Sequence, residues 1–357
     1  MNHIAQIRQK LTENDLDALI LAGEKNQRYA AGFAFTDGLV IVAREKAWLL
    51  TDSRYIEAAE KAAGGCVSVQ LFDREHSLTA LARAALREAG AQRVGAEEES
   101  LPHARYLALE KDLELPLLPA QHILNELRAS KTEEELQYMV RAQRISEAAL
   151  AETLPLIRPG MTEKELAAEL VYRMLRHGSE GNAFDPIVVS GPNTSLPHGV
   201  PGDRQIREGE FVTMDFGSLC GGYCSDMTRT VAVGFATEEM RQIYDVVLRA
   251  QLAGIAAGRA GVTGREIDAA AREVIAQAGF GPFFGHGFGH SLGLDIHERP
   301  AANPSGDTPM PAGAVVSAEP GIYLPGRFGV RIEDVMVLRE GGSEVITRAP
   351  KAELLVL

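Results

Sequence analysis

The chain has 357 residues, 49 of them acidic against 36 lysines and arginines, for a formal net charge of −13. At about 100–200 residues per domain, two or three domains are expected. The acidic balance excludes a protein that docks on duplex nucleic acid through a basic face, and it leaves carboxylates in excess that could hold cations. No stretch reaches the ~20 apolar residues of a membrane span. The N-terminal segment, MNHIAQIRQKLTENDLDALILAG, carries mixed charge and no uninterrupted apolar run, so neither a signal peptide nor a membrane partner is expected. Cys66, Cys220 and Cys224 have neither framework nor CxxC spacing. They read as structural residues of a protein kept in a reducing cytoplasm.

In chain order, helical periodicity over 4–12 leads into an apolar run, DALILAG (17–23), and then two strand-like runs, GLVIVA (38–43) and KAWLLTD (46–52). A helix is expected over 54–63, a strand at VSVQLF (67–72), and a helix over 76–90 that stops at Gly90. This alternation predicts a compact α/β domain. Near residue 130 the character changes. Thr132 and Glu135 have capping-box spacing, in which hydroxyl and carboxylate each satisfy a free backbone N–H, and a long amphipathic helix follows to about 156. A boundary in the 120–131 segment gives domains 1–125 and 126–357.

The second domain echoes itself. RPGMTEKELAAELVYRMLRHG (158–178) and RAGVTGREIDAAAREVIAQAG (259–279) share their length, a Thr-x-x-Glu box (Thr162/Glu165 and Thr263/Glu266) and a closing glycine. Two helices built by the same capping rules would look this way. So would an α/β unit used twice about a pseudo-twofold, with a site between the halves.

Two hairpins carry acids. FVTMDFGS (211–218) and YCSDMTRTVAVG (223–234) read as strands around Cys220-Gly221-Gly222. A turn centred between Cys220 and Gly221 would set Asp215 directly opposite Asp226. AVVSAEPGIY (314–323) and FGVRIEDVMVL (328–338) flank a Leu-Pro-Gly-Arg turn, and a three-residue loop at 325–327 would oppose Glu319 to Glu333. Like charges facing each other across a sheet are destabilising. A bulge or a solvent-facing acid would relieve either hairpin alone. Four acids on mostly apolar strands point instead to neutralisation by cations or protons, and two divalent ions would balance them. Arg331, two residues before Glu333, shares its strand face; it could hold a carboxylate, orient a ligand or face solvent.

Five of the nine histidines stand out: His177, His198, His286, His290 and His297, three of them in GHGFGHSLGLDIHE (285–298). The HExxH pattern of a mononuclear zinc peptidase is absent. Carboxylates with one histidine fit a dinuclear site better. Oxygen-rich ligation suits Mn(II), while imidazole admits Co(II), Fe(II) or Zn(II).

MDFG, SDMTRT, GHSLGLDIHE, AEPGIY and VRIED, in this order and spacing, make residues 130–357 resemble the pita-bread metallopeptidases. That family includes methionine aminopeptidase, aminopeptidase P, Xaa-Pro dipeptidase (prolidase) and the metal-free creatinase. NQRYAAGF (26–33) and TDSRYIEAA (51–59) resemble the creatinase/prolidase N-terminal domain. The fold implied is α/β (α+β): an N-terminal creatinase/prolidase-type α/β domain, then a pita-bread catalytic domain with pseudo-twofold symmetry.

The resemblance also implies a ligand set. Asp215, Asp226, His290, Glu319 and Glu333 would hold two divalent ions, with Mn(II) expected first and Co(II), Zn(II) or Fe(II) as alternatives. Asp226 and Glu333 would bridge the ions; Asp215 would complete one, His290 and Glu319 the other. A metal-bridging hydroxide would attack the scissile carbonyl. Glu319 would carry the proton, and His198 and His297 would stabilise the tetrahedral intermediate and position substrate. His286, Tyr323 and Arg331 match further substrate-binding residues. Methionine aminopeptidases are usually shorter and lack the N-terminal domain, so the Xaa-Pro branch is favoured. The expected substrate is a short peptide with proline second, cleaved after its first residue by a dipeptidase or an aminopeptidase. A broader aminopeptidase of methionine-aminopeptidase type and a non-catalytic peptide-binding module stay open. A cytoplasmic homodimer is expected from the same resemblance.

Overall fold

Apolar runs in the first third fold as the central strands of one sheet. The computed structural model describes residues 2–63 and 65–357, and the chain divides into two units, Met1–Arg128 and Ala129–Leu357. The first unit runs α1 (Ile4–Glu13), β1 (Ala18–Leu21), α2 (Glu24–Ala31), β2 (Gly38–Ala43), β3 (Ala47–Thr51), α3 (Ile56–Ala63), β4 (Ser68–Leu71), α4 (Leu78–Glu88), β5 (Val94–Ala96), α5 (His103–Leu113), β6 (Leu117–Pro119) and α6 (Gln121–Ala129). Its sheet has the order β4-β3-β2-β1-β5-β6. β2 is antiparallel to β1 and β3, while the outer pairings are parallel. β1, β2 and β3 are buried along their whole length, as parallel-type strands covered on both faces are. Ile20, Ile41, Trp48 and Leu50 pack there against Leu86 and Leu109 from the helices.

The second unit runs α7 (Glu133–Thr153), α8 (Glu163–Arg176), β7 (Ile187–Ser190), β8 (Phe211–Phe216), β9 (Leu219–Cys220), β10 (Tyr223–Cys224), β11 (Met227–Ala232), α9 (Glu238–Ala257), α10 (Gly264–Gln277), β12 (Gly289–Ser291), β13 (Glu298–Ala302), β14 (Val315–Ala318), β15 (Gly321–Leu324), β16 (Phe328–Arg331), β17 (Asp334–Arg339) and β18 (Gly342–Val345). Each half is a helix pair on a sheet. α7 and α8 share a core with β7, β8 and β11, in which Leu166, Leu170, Val188, Met214 and Met227 meet. α9 and α10 share another with β14 and β17, through Ile243, Val247, Ile267, Val316 and Met336. The sequence echo corresponds to α8 and α10. Both start with a complete capping box, Thr162/Glu165 and Thr263/Glu266.

The two acidic hairpins differ in how they match expectation. Gly321 pairs with Arg331 and Leu324 with Phe328, leaving 325–327 as the loop. Ala318 pairs with Asp334 in the same register, so Glu319 and Glu333 face each other between the two ladders. In the first hairpin the expected opposition of Asp215 and Asp226 is not formed. Cys220 pairs with Tyr223, which makes Gly221-Gly222 the turn. Both glycines sit at positive φ, 60° and 79°, as a two-residue hairpin turn requires and cysteine resists. The register moves by two, and Asp215 faces Thr228. A shift of two keeps every side chain on its face, so Asp226 sits diagonally from Asp215 and still points to the same cavity.

Candidate active site

The strands deliver their acids to one place. Asp215 comes from β8, Asp226 from the link between β10 and β11, His290 from β12, Glu319 from just beyond β14, and Glu333 from between β16 and β17. All five line a cavity of about 550 Å³, together with His198, His286, His297 and Arg331. Tyr323 stands behind the wall; its hydroxyl lies 2.8 Å from His286 Nε2 and accepts from an Arg331 N–H at 2.9 Å. His177 is elsewhere. It ends α8 with Nε2 3.0 Å from Glu152 Oε1, so the sequence singled out one histidine too many.

Burial makes the acidic cluster costly. Asp215, Asp226 and Glu333 are 8 %, 3 % and 1 % exposed. Three of their oxygens, Asp215 Oδ1, Asp226 Oδ1 and Glu333 Oε1, are buried with no hydrogen-bond partner among the described residues. Ligand atoms of Asp226, His290 and Glu333 lie within 4.8 Å of one another. Burial first, and then neighbouring carboxylates, push Asp226 and Glu333 well above the ordinary carboxylate range. Asp215 is also raised by burial, although the Arg331 guanidinium opposes the shift. Glu319 goes the other way. Burial would raise it, but the hydrogen bond and charge of His290 hold it down to about 2. His290 is correspondingly raised against its own burial. Unbonded buried carboxylate oxygens are rare because each forfeits its hydration. Oxygens from several chains of structure converging beside an imidazole fit divalent cations.

Neighbouring groups hold these side chains in place. Arg331 is buried, not solvent-facing, and pairs with Asp215 Oδ2 at 2.6 Å. Thr228 Oγ1 donates to Glu333 Oε2 at 2.6 Å. Ser317 Oγ accepts from His290 N and donates to Glu319 Oε1, both at 3.0 Å. Sequence reasoning missed Thr228 and Ser317. Each stands two residues from an acid on the same strand face, and that alternation was the available signal. His290 and His297 meet edge to face at 4.3 Å between ring centres. Burial lowers the pKa of both His286 and His297, favouring neutral imidazole. Phe184, Ile187 and Ile296 add an apolar wall.

Residues 137–340 match Metallopeptidase family M24, and residues 3–130 match the Creatinase/Prolidase N-terminal domain. The chain belongs to metallopeptidase family M24. Its N-terminal unit is the creatinase/prolidase domain and its second unit the pita-bread domain of that family. An uncharacterized peptidase of Bacillus subtilis, YqhT, is 38% identical over 99% of each chain. The structure of an Xaa-Pro dipeptidase from Bacillus anthracis superposes with a TM-score of 0.95, at 39% identity over 99% of each chain. That of an X-Pro aminopeptidase from Thermotoga maritima gives 0.92, at 34% identity over 100% of each chain. As an M24 member the chain is a metallopeptidase built for divalent metal ions. Among the described residues, no helix is long and apolar enough to cross a membrane.

Proposed function

We propose that this M24 enzyme is an exopeptidase that removes an N-terminal residue preceding proline, using two divalent ions of which Mn(II) is the first choice. The observation that carries the reading is one cavity lined by three carboxylates that each keep a buried oxygen without a hydrogen-bond partner among the described residues, with ligand atoms of Asp226 and Glu333 within 4.8 Å of the His290 imidazole. Asp215, Asp226, His290, Glu319 and Glu333, which line one cavity, would hold the ions. When bound, such ions lower the pKa of a water and polarise a carbonyl.

The chain's own groups supply the rest. Glu319 binds Ser317 and His290 through Oε1, which leaves Oε2 to take and return a proton. An Xaa-Pro bond is a tertiary amide whose nitrogen has no hydrogen, so its departure needs that returned proton. His198 and His297 would donate to the oxygen on which negative charge develops. Arg331 would fix Asp215, and Tyr323 would tie His286 to Arg331. The proline preference is drawn from the solved relatives named Xaa-Pro dipeptidase and X-Pro aminopeptidase. A cytoplasmic homodimer, with domains divided near residue 125, completes the proposal.

Hydrolysis of Ala-Pro beside Ala-Pro-Ala, with added Mn(II) and with chelator, tests it. Metal-dependent cleavage of the dipeptide alone identifies a dipeptidase; strong preference for the tripeptide identifies an aminopeptidase. Activity on neither, with Mn(II) bound, sinks the Xaa-Pro assignment.

A further inference from the structure

His198 reaches the cavity from the loop 191–202, and its imidazole makes no hydrogen bond among the described residues. Its place is therefore set by the loop. One buried carboxylate ties that loop at both ends. Glu163, the first residue of α8, has no solvent exposure. Its Oε1 accepts from Ser190 N (2.7 Å), Ser190 Oγ (2.9 Å) and Asn193 Nδ2 (3.0 Å), where the chain leaves β7. Its Oε2 accepts from Gly202 N at 3.0 Å, where the loop returns. Backbone bonds repeat the tie: Glu163 N donates to Arg204 O and Lys164 N to Gly202 O, both at 3.1 Å.

Helix capping does not account for this carboxylate, because Thr162 and Glu165 already cap α8. Simple packing does not account for it either, since an apolar side chain would fill the space without the cost of burying a charge. What a carboxylate adds is two oxygens able to accept from both loop ends at once, beside the positive end of a helix. The other half of the unit repeats the device. Asp268 on α10 is buried, and its Oδ1 accepts from Phe288 N at 2.8 Å. It also holds Arg272, which donates to Phe284 O at 2.9 Å and His286 O at 2.7 Å. In each half a buried acid on the second helix grips the loop that brings a histidine to the cavity.

We propose that Glu163 is the positioning residue for His198, holding its loop in the shape that presents the imidazole to substrate. This rests on the reading of His198 as a substrate-facing group. In Glu163→Gln one end of the loop meets an NH2 group where an acceptor is needed. Asn193→Ala removes a single donor and is the milder variant, carrying the same measurements if Glu163→Gln does not fold.

Three readouts on the full chain test the proposal. Hydrogen exchange should quicken in 191–202 and stay unchanged in 284–297. On an Xaa-Pro peptide with Mn(II), kcat should fall about tenfold or more with KM nearly constant, since small misplacements of a reacting group are costly. In a His198→Ala background, Glu163→Gln should add less than about a twofold further loss, because residues acting as a unit are not additive. Unchanged exchange in the loop, or full multiplication of the two losses, overturns the proposal. If the wild-type enzyme cleaves no Xaa-Pro peptide, the functional reading fails, and loop exchange alone decides whether Glu163 holds the loop.

Discussion

The guanidinium of Arg331 lies 2.6 Å from the Asp215 carboxylate, deep among four acids. Its other N–H groups reach Thr228 Oγ1 at 3.1 Å, the Tyr323 hydroxyl at 2.9 Å and Pro197 O at 3.3 Å. Arg331 is thus the fixed cation of the cluster. Arg331→Met leaves Asp215 buried without its partner and should cost about 3–5 kcal/mol in chelator. Arg331→Lys keeps the charge but not the planar fork, so it should recover only part of that loss. Urea unfolding of the three proteins measures it. Equal midpoints for wild type and Arg331→Met would contradict the role.

The raised carboxylates make metal-free stability depend on pH. Asp226 and Glu333 have pKa values well above the ordinary range, first because they are buried. The unfolded chain loses those protons at about 4. Their contribution is fully present below that pH and is lost as pH rises through the folded values. Glu319, held at about 2, has the opposite sign: its contribution is fully present above about 4 and is lost as pH falls through its folded value. In chelator, Asp226→Asn should match wild type at acid pH and exceed it at neutral pH. With Mn(II) the order should reverse, because the variant loses a ligand and with it the stabilisation that binding confers. An Asp226→Asn protein less stable than wild type at neutral pH without metal would refute the electrostatic account.

His198 and His297 line the cavity without belonging to the candidate ligand set. Replacing either by alanine should lower kcat about 10²–10³-fold if each donates to developing charge, and should leave Mn(II) affinity unchanged by calorimetric titration. Loss of metal binding on either substitution would reassign that histidine to the ligands.

How much of this was legible depended on parity and turns. The Leu-Pro-Gly-Arg turn has one natural centre, and the Glu319–Glu333 opposition follows from it. Around Cys220-Gly221-Gly222 the sequence reading centres the turn between Cys220 and Gly221, whereas the structure centres it between Gly221 and Gly222, the two residues that take positive φ. Asp215 and Asp226 still reach one cavity, because a two-residue slip preserves faces. The burial of Arg331 was half legible: alternation gave its face, but only the three-dimensional packing closes that face to water. Glu163 was not legible. The Thr-x-x-Glu pattern draws attention to Glu165, and the donors that bind Glu163 lie far along the chain at Ser190, Asn193 and Gly202.

The Gly221-Gly222 turn sets where Asp226 falls, and it is held from outside. Glu180 accepts from Gly221 N at 2.8 Å and from Gly222 N at 2.9 Å. A Cβ on Gly221 would meet Tyr138 Cδ1 at 2.3 Å, on top of its φ of +60°. Gly326, in the other hairpin, has φ +71° and nothing within 4 Å of an added Cβ. Gly326→Ala should therefore cost backbone strain alone, about 1–2 kcal/mol. Gly221→Ala adds the clash with Tyr138. It should cost more in urea unfolding, and it should also weaken Mn(II) binding, because relief requires the turn, and Asp226 beyond it, to move. A three- or four-residue loop would absorb the methyl group without moving the aspartate. Equal costs for the two variants, with metal affinity intact in both, would therefore mean that the tight two-residue turn does not set the Asp226 position.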